Sequence, residues 1–143
     1  MAKNHPNTTL LSRAILGAAL AGLVAAPAFA APKLTPQQEL AKALEGRVAG
    51  KPVDCIDPRM NSQTRIIDRT AIIYGSGRTV YLQVPDNASS LKDDDVLVTE
   101  LRGSGRLCSI DTVKLHSRSS GFYNGFVGLK PFVPYTRVDH GHH

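Results

Sequence analysis

The chain contains no tryptophan and only two cysteines. It has no C-x-x-C pair, which excludes thioredoxin-like thiol exchange. Its longest uncharged apolar stretch, residues 14–26, is 13 residues long. That falls short of the ~20 residues with which a helix spans a bilayer, which disfavours a membrane anchor. It also lacks any block of basic charge. The 17 Lys and Arg are scattered among 12 Asp and Glu, whereas nucleic-acid binders concentrate basic charge on one face or helix. Nucleic acid is therefore not an expected partner. At 143 residues the chain is too short for a multidomain assembly, and one domain is the natural reading.

The N-terminal 30 residues differ from the rest. Lys3 and Arg13 precede the apolar run, and Pro27 and Ala28-Phe29-Ala30 follow it. A basic start, a short apolar run and a small-x-small site make a secretory leader, with cleavage between Ala30 and Ala31. No cysteine stands directly after that site and no twin arginine precedes the run, so lipid anchoring and folded export are not expected. The leader holds 18 of the hydrophobic residues, and without it the remainder is about 37% hydrophobic with a net charge of +3. The expected organisation is a signal peptide at 1–30, a short helix and linker at 31–50, a disulfide-linked β domain at 51–138, and a His-rich tail at 139–143. The expected location is the periplasm or the exterior.

Cys55 and Cys108 both fall after the leader. An even count in an exported chain reads as a disulfide. Closing a loop of about 53 residues stabilises by about 4 kcal/mol in the chain-entropy model. The competing reading is a catalytic thiol, which needs a nearby base, and the only interior histidine is His116.

Thr35, Pro36 and Gln38 fit an N-cap, a first helical position and the third residue of a capping box. Leu40, Ala41 and Leu44 form an apolar stripe and Gly46 a stop, so residues 36–45 read as a helix. Residues 47–52 contain Gly50 and Pro52 and read as a linker. The remainder reads as strands and turns: 53–56, 65–68, 70–74, 78–84, 96–102, 107–117, and a last stretch within 125–138 interrupted by Pro131 and Pro134. The tetrapeptide Gly-Ser-Gly-Arg occurs at 75–78 and again at 103–106. Each copy lies between β-like runs, and glycine supplies the positive φ that tight turns need. Two β-hairpins are the simplest reading. A phosphate loop would need a longer glycine spacing, Lys-Ser/Thr and an opening helix. The fold class is mainly β: a small curled sheet or barrel of about five or six antiparallel strands with one short N-terminal helix.

Three segments carry a resemblance. They are Pro52-Val53-Asp54-Cys55-Ile56-Asp57, Ile67-Asp68-Arg69-Thr70 and Gly105-Arg106-Leu107-Cys108-Ser109-Ile110-Asp111. This C-I-D … D-R-T … L-C-x-x-D pattern resembles a domain-of-unknown-function family of small exported proteobacterial proteins, over roughly residues 50–115. The family's further C-P-G-L cysteine is replaced here by Ala88-Ser89-Ser90-Leu91. The resemblance implies export and fold, and no activity.

Candidate sites are few. His116 lies on a predicted strand with Asp111 on the opposite face by parity, which argues against a dyad within that strand. Asp93-Asp94-Asp95 lacks the alternation, glycine and distal glutamate of a calcium loop, and reads as a solvated connector. His140, His142 and His143 in the tail offer weak metal ligation. Phe122, Tyr123, Phe126, Phe132 and Tyr135 are five of the seven aromatics after the leader. They serve either as core or as a binding surface. No catalytic constellation and no cofactor motif is present. The reading is a non-enzymatic periplasmic binding or envelope-accessory domain with an envelope protein or polymer as partner. The alternatives are a small envelope hydrolase, an enzyme inhibitor, or metal binding through the tail.

Overall fold

The computed structural model describes residues 32–101 and 103–138. Ten short strands and one α-helix follow in chain order: α1 (Pro36–Leu44), β1 (Arg47–Ala49), β2 (Cys55–Ile56), β3 (Thr64–Ile67), β4 (Ala71–Tyr74), β5 (Thr79–Gln83), β6 (Asp95–Thr99), β7 (Leu107–Cys108), β8 (Thr112–Ser117), β9 (Tyr123–Gly128) and β10 (Val133–Arg137). They form three antiparallel sheets, ordered β1-β10-β5-β4-β3, β2-β7 and β6-β8-β9. The class is mainly β, and the sheets do not close into a barrel. The strand count exceeds the expected five or six because the run at 107–117 is two strands, the run at 125–138 is two more, and the supposed linker holds β1.

The helix forms as its first turn predicts. The Thr35 hydroxyl accepts from the Gln38 N–H at 3.3 Å, and the Gln38 side chain accepts from the Thr35 N–H at 2.9 Å. Its docking stripe is Leu40, Ala43 and Leu44, with Ala41 outside it. That spacing keeps the three side chains within one turn, on one face.

The five-stranded sheet is covered on both sides. All four residues of β4 are buried, and strand alternation sends them to two cores. Ile72 and Tyr74 join Ile56, Leu91, Leu107, Val113, Leu115, Val127, Leu129 and Phe132. Ala71 and Ile73 join Ile67, Val80 and Leu82 beneath the helix. The first core is thus the filling between the two larger sheets.

β1 lies at the edge of the large sheet, pairing Arg47, Val48 and Ala49 with Arg137, Thr136 and Tyr135. Pro134 sits inside β10, which is an interior strand. Its carbonyl accepts from the Gly50 N–H at 2.7 Å, so its absent N–H faces the end of β1 and costs β5 nothing. A side chain at position 50 would put its Cβ 3.1 Å from the Pro134 ring. Gly50 thus packs closely on Pro134 at the end of β1 and is not a sign of a linker.

The two Gly-Ser-Gly-Arg segments differ. Residues 75–78 join β4 to β5, which pair directly. Gly75 has φ +87°, and a Cβ there would meet Asn61 Oδ1 at 2.8 Å. Residues 103–106 do not make a hairpin. The strand before them, β6, pairs with β8, while the strand after them, β7, pairs with β2. The same turn chemistry carries the chain from one sheet to another.

Cys55 and Cys108 are directly opposed on β2 and β7 and form a disulfide with Cα atoms 4.0 Å apart. The Asp111 carboxylate accepts from the Cys108 N–H at 2.8 Å. That turn ends β7 and separates it from β8. Both ends of the L-C-x-x-D segment therefore act in holding the staple. The central D-R-T segment is the β3–β4 turn, with Arg69 at φ +50°. On the far side of the small sheet, the Asn87 side chain donates to the Phe126 carbonyl at 2.7 Å and accepts from the Gly128 N–H at 3.2 Å. It takes the place of a neighbouring strand along part of β9.

Candidate functional site

The three-stranded sheet has one buried and one open face. Val113, Leu115 and Val127 point into the first core. Alternation then sends their neighbours outward. Register places Val96, His116 and Tyr123 in one row, and Val98, Lys114 and Phe126 in the next. Val96 and Val98 are 38% and 40% exposed, Tyr123 57% and Phe126 54%. Phe122, in the turn before β9, is 75% exposed. The result is an apolar face interleaved with one cationic and one imidazole side chain.

The five aromatics therefore separate. Phe122, Tyr123 and Phe126 lie on or beside the open face. Phe132 is fully buried, edge-on to Tyr74 with ring centroids 5.7 Å apart. Tyr135 is half-buried and packs on the second core. Phe132 and Tyr135 thus leave the candidate binding surface. Both lie after Leu129, where the chain crosses from the small sheet back to the large one. Val96 and Val98 were missed; their period-two alternation with Leu97 and Thr99 is the signal that locates them.

His116 is half-buried. Its Nδ1 lies 3.1 Å from the Gly121 carbonyl. A carbonyl only accepts, so Nδ1 carries the proton. The ring also packs edge-on against Tyr123, centroids 5.6 Å apart. Its hydrogen bond goes to a backbone carbonyl and its contact with Tyr123 is ring packing, so neither forms a dyad with a side-chain nucleophile or carboxylate. Lys114 is bonded to Glu100, and that hydrogen bond holds its ammonium above the ordinary lysine range. Lys114 thus presents a paired charge beside Phe126.

The aspartate run is not one solvated connector. Asp93 pairs with Lys33 at 3.8 Å. Asp95, however, opens β6 and is 1% exposed. A register slip opposite Leu115 and His116 leaves Asn124 unpaired in β9. Its amide donates to Asp95 Oδ1 at 2.7 Å. No cluster of three or more His, Cys, Asp or Glu suited to a metal occurs among the described residues. The leader, the Ala30–Ala31 cleavage site and the tail histidines lie outside the described residues. Among the described residues, no helix is long and apolar enough to cross a membrane.

The first glycine turn is already occupied. The Arg47 guanidinium donates to the Gly77 carbonyl at 2.9 Å and to the Arg78 carbonyl at 2.6 Å. The second turn sends Arg106 to the Cys55 carbonyl at 2.8 Å. Neither turn leads into a helix, so neither has the architecture of a phosphate loop. Comparison of the chain with protein-family models, curated proteins and solved structures gives no match.

Proposed function

We propose that this protein is an exported periplasmic domain with a non-enzymatic binding or envelope-accessory role. Its contact surface is the open face of β6-β8-β9, and its partner is an envelope protein or polymer. One observation carries the reading. Phe122, Tyr123 and Phe126 are more than half exposed, while Tyr74, Tyr81, Phe132 and Tyr135 are buried or half-buried. Aromatic side chains left in water next to exposed valines are the composition of contact surfaces, because they bury large area at little entropic cost. The disulfide is consistent with an oxidising compartment.

The test is photo-crosslinking in intact cells. A photoreactive residue placed at Tyr123 or Phe126 should yield an adduct, and one placed at Thr70 should not. Cosedimentation with purified peptidoglycan separates polymer from protein partners. The combined Phe122→Ser, Tyr123→Ser and Phe126→Ser variant should lose the partner while keeping its melting temperature. Adducts confined to positions off this face would refute the assignment.

A further inference from the structure

Two sheet edges face the same gap. β3 is the last strand of the large sheet and β6 the first of the small one. Between them lies a cavity of about 540 Å³, lined by Thr64, Arg65 and Ile66 on one side and by Asp95, Val96 and Leu97 on the other.

The register shows which backbone groups point into it. Gly75 N–H bonds to the Gln63 carbonyl at 2.6 Å. Since bonded and non-bonded pairs alternate in an antiparallel ladder, Thr64 and Ile66 turn their N–H and C=O groups away from β4. On β6, Arg118 N–H bonds to the Asp94 carbonyl at 3.2 Å. The same alternation turns the backbone groups of Asp95 and Leu97 away from β8. Asp95 uses its own groups, with its N–H on Lys92 and its carbonyl accepting from Arg118. Among the described residues, Thr64, Ile66 and Leu97 are left with open donors and acceptors on both sides of one gap.

A second observation comes from the lining itself. Asp95 is 1% exposed, and its Oδ2 has no hydrogen-bond partner among the described residues. A buried carboxylate oxygen without a donor is costly. Oδ2 is sealed from the gap in the free protein, so a donor carried in by a ligand removes that cost once the Asp95 carboxylate turns to meet it.

We propose that the gap between β3 and β6 binds an extended peptide segment of a partner protein by strand addition, with a donor side chain of the peptide directed to Asp95. Only an extended chain repeats donors and acceptors at the spacing of two facing strand edges. From strand rise, strand spacing and sheet thickness, one strand residue occupies roughly 160 Å³. The cavity therefore holds three or four residues of a single strand. A second copy of this chain would bring a sheet edge together with its flanking strand, which is too large. This site meets the aromatic face at Val96 but uses the β3 and β6 edges rather than the outer face of the sheet, so it stands or falls independently of the function proposed for that face.

The experiment uses the full exported chain labelled with ¹⁵N, and a mixture of capped pentapeptides with a fixed central lysine and all residue types at the other four positions. Amide hydrogen exchange is read residue by residue. The mixture should slow exchange at Thr64, Ile66 and Leu97 by at least about tenfold. The same mixture N-methylated at alternate backbone nitrogens should have no effect. Thr64→Pro should weaken the protection, since proline is tolerated where the N–H faces outward from an edge. Asp95→Asn should weaken the preference for central lysine over central norleucine. Unchanged exchange at the three amides overturns the proposal, as does slowing confined to Tyr123 and Phe126. Protection already present in the free protein also overturns it: if it rises with concentration, the occupant is a second copy; if it does not, the occupant is a segment of the same chain.

Discussion

The five-stranded and the three-stranded sheets are built from similar amounts of chain but carry different loads. β4 is buried along its whole length because the small sheet covers one face and the helix the other. β8 alternates instead, with Val113 and Leu115 inside and Lys114 exposed. A strand covered on both faces is constrained at every position by packing. A strand covered on one face is free to vary on the other. The aromatics left on that free face need an explanation beyond folding, and those inside do not.

The contrast breaks most visibly at two phenylalanines six residues apart. Phe132→Ala empties a fully buried site and should cost about 3–5 kcal/mol in a denaturant titration. Removing the staple by the Cys55→Ser and Cys108→Ser pair should cost about 2–4 kcal/mol, read as a lower midpoint in guanidinium. This loss tests whether the β2-β7 ribbon is needed to hold the small sheet against the large one. Under the helix the effect should be smaller. Leu40→Ala removes a half-buried contact and should cost about 1 kcal/mol by thermal melting.

Tyr74 sharpens the comparison from inside the first core. Its hydroxyl is buried without a hydrogen-bond partner among the described residues, and burial raises its pKa well above the ordinary value. A phenol whose folded-state pKa is raised by burial opposes ionisation in the fold, so stability is undiminished below the unfolded value of about 10 and falls as pH rises above it. Separately, Tyr74→Phe should gain about 1 kcal/mol at neutral pH by removing an unsatisfied hydroxyl. It should also flatten the alkaline limb of a stability–pH curve; an unchanged limb would show that Tyr74 is not its source. The smallest effect is expected on the open face. Phe126→Ala should shift stability by no more than about 0.5 kcal/mol in the same titration. A loss as large as that of Phe132→Ala would mean that the face is structural after all.

Local chemistry made some features readable in advance. The capping box at Thr35 and Gln38, the paired cysteines, the Ala71–Tyr74 run and the Gly75 hairpin all depend on residues close in sequence or on a count. What escaped depends on distant partners. β1 is three residues long and exists because β10 offers it an edge. Pro134 in β10 looks like a strand breaker until Gly50 is seen to lie beside it. Leu107–Ser117 reads as one alternating run, and only the Asp111 carboxylate on the Cys108 N–H shows the break. Asp95 looks like the third member of a solvated acidic run, yet Asn124, 29 residues away, holds it inside. The open face was half legible: its aromatics stood out by density, but which of the five turn outward depends on where the chain leaves the small sheet.

Asn87 bears on a property of the protein in bulk. A sheet with an apolar outer face and an open edge has both requirements for growing into a fibril: a template for further strands and a surface on which layers stack. By occupying the Phe126 carbonyl and the Gly128 N–H, one amide side chain withholds the template where the aromatics are densest. The molecule can then display Tyr123 and Phe126 to a partner without offering a strand template at the β9 edge beside them.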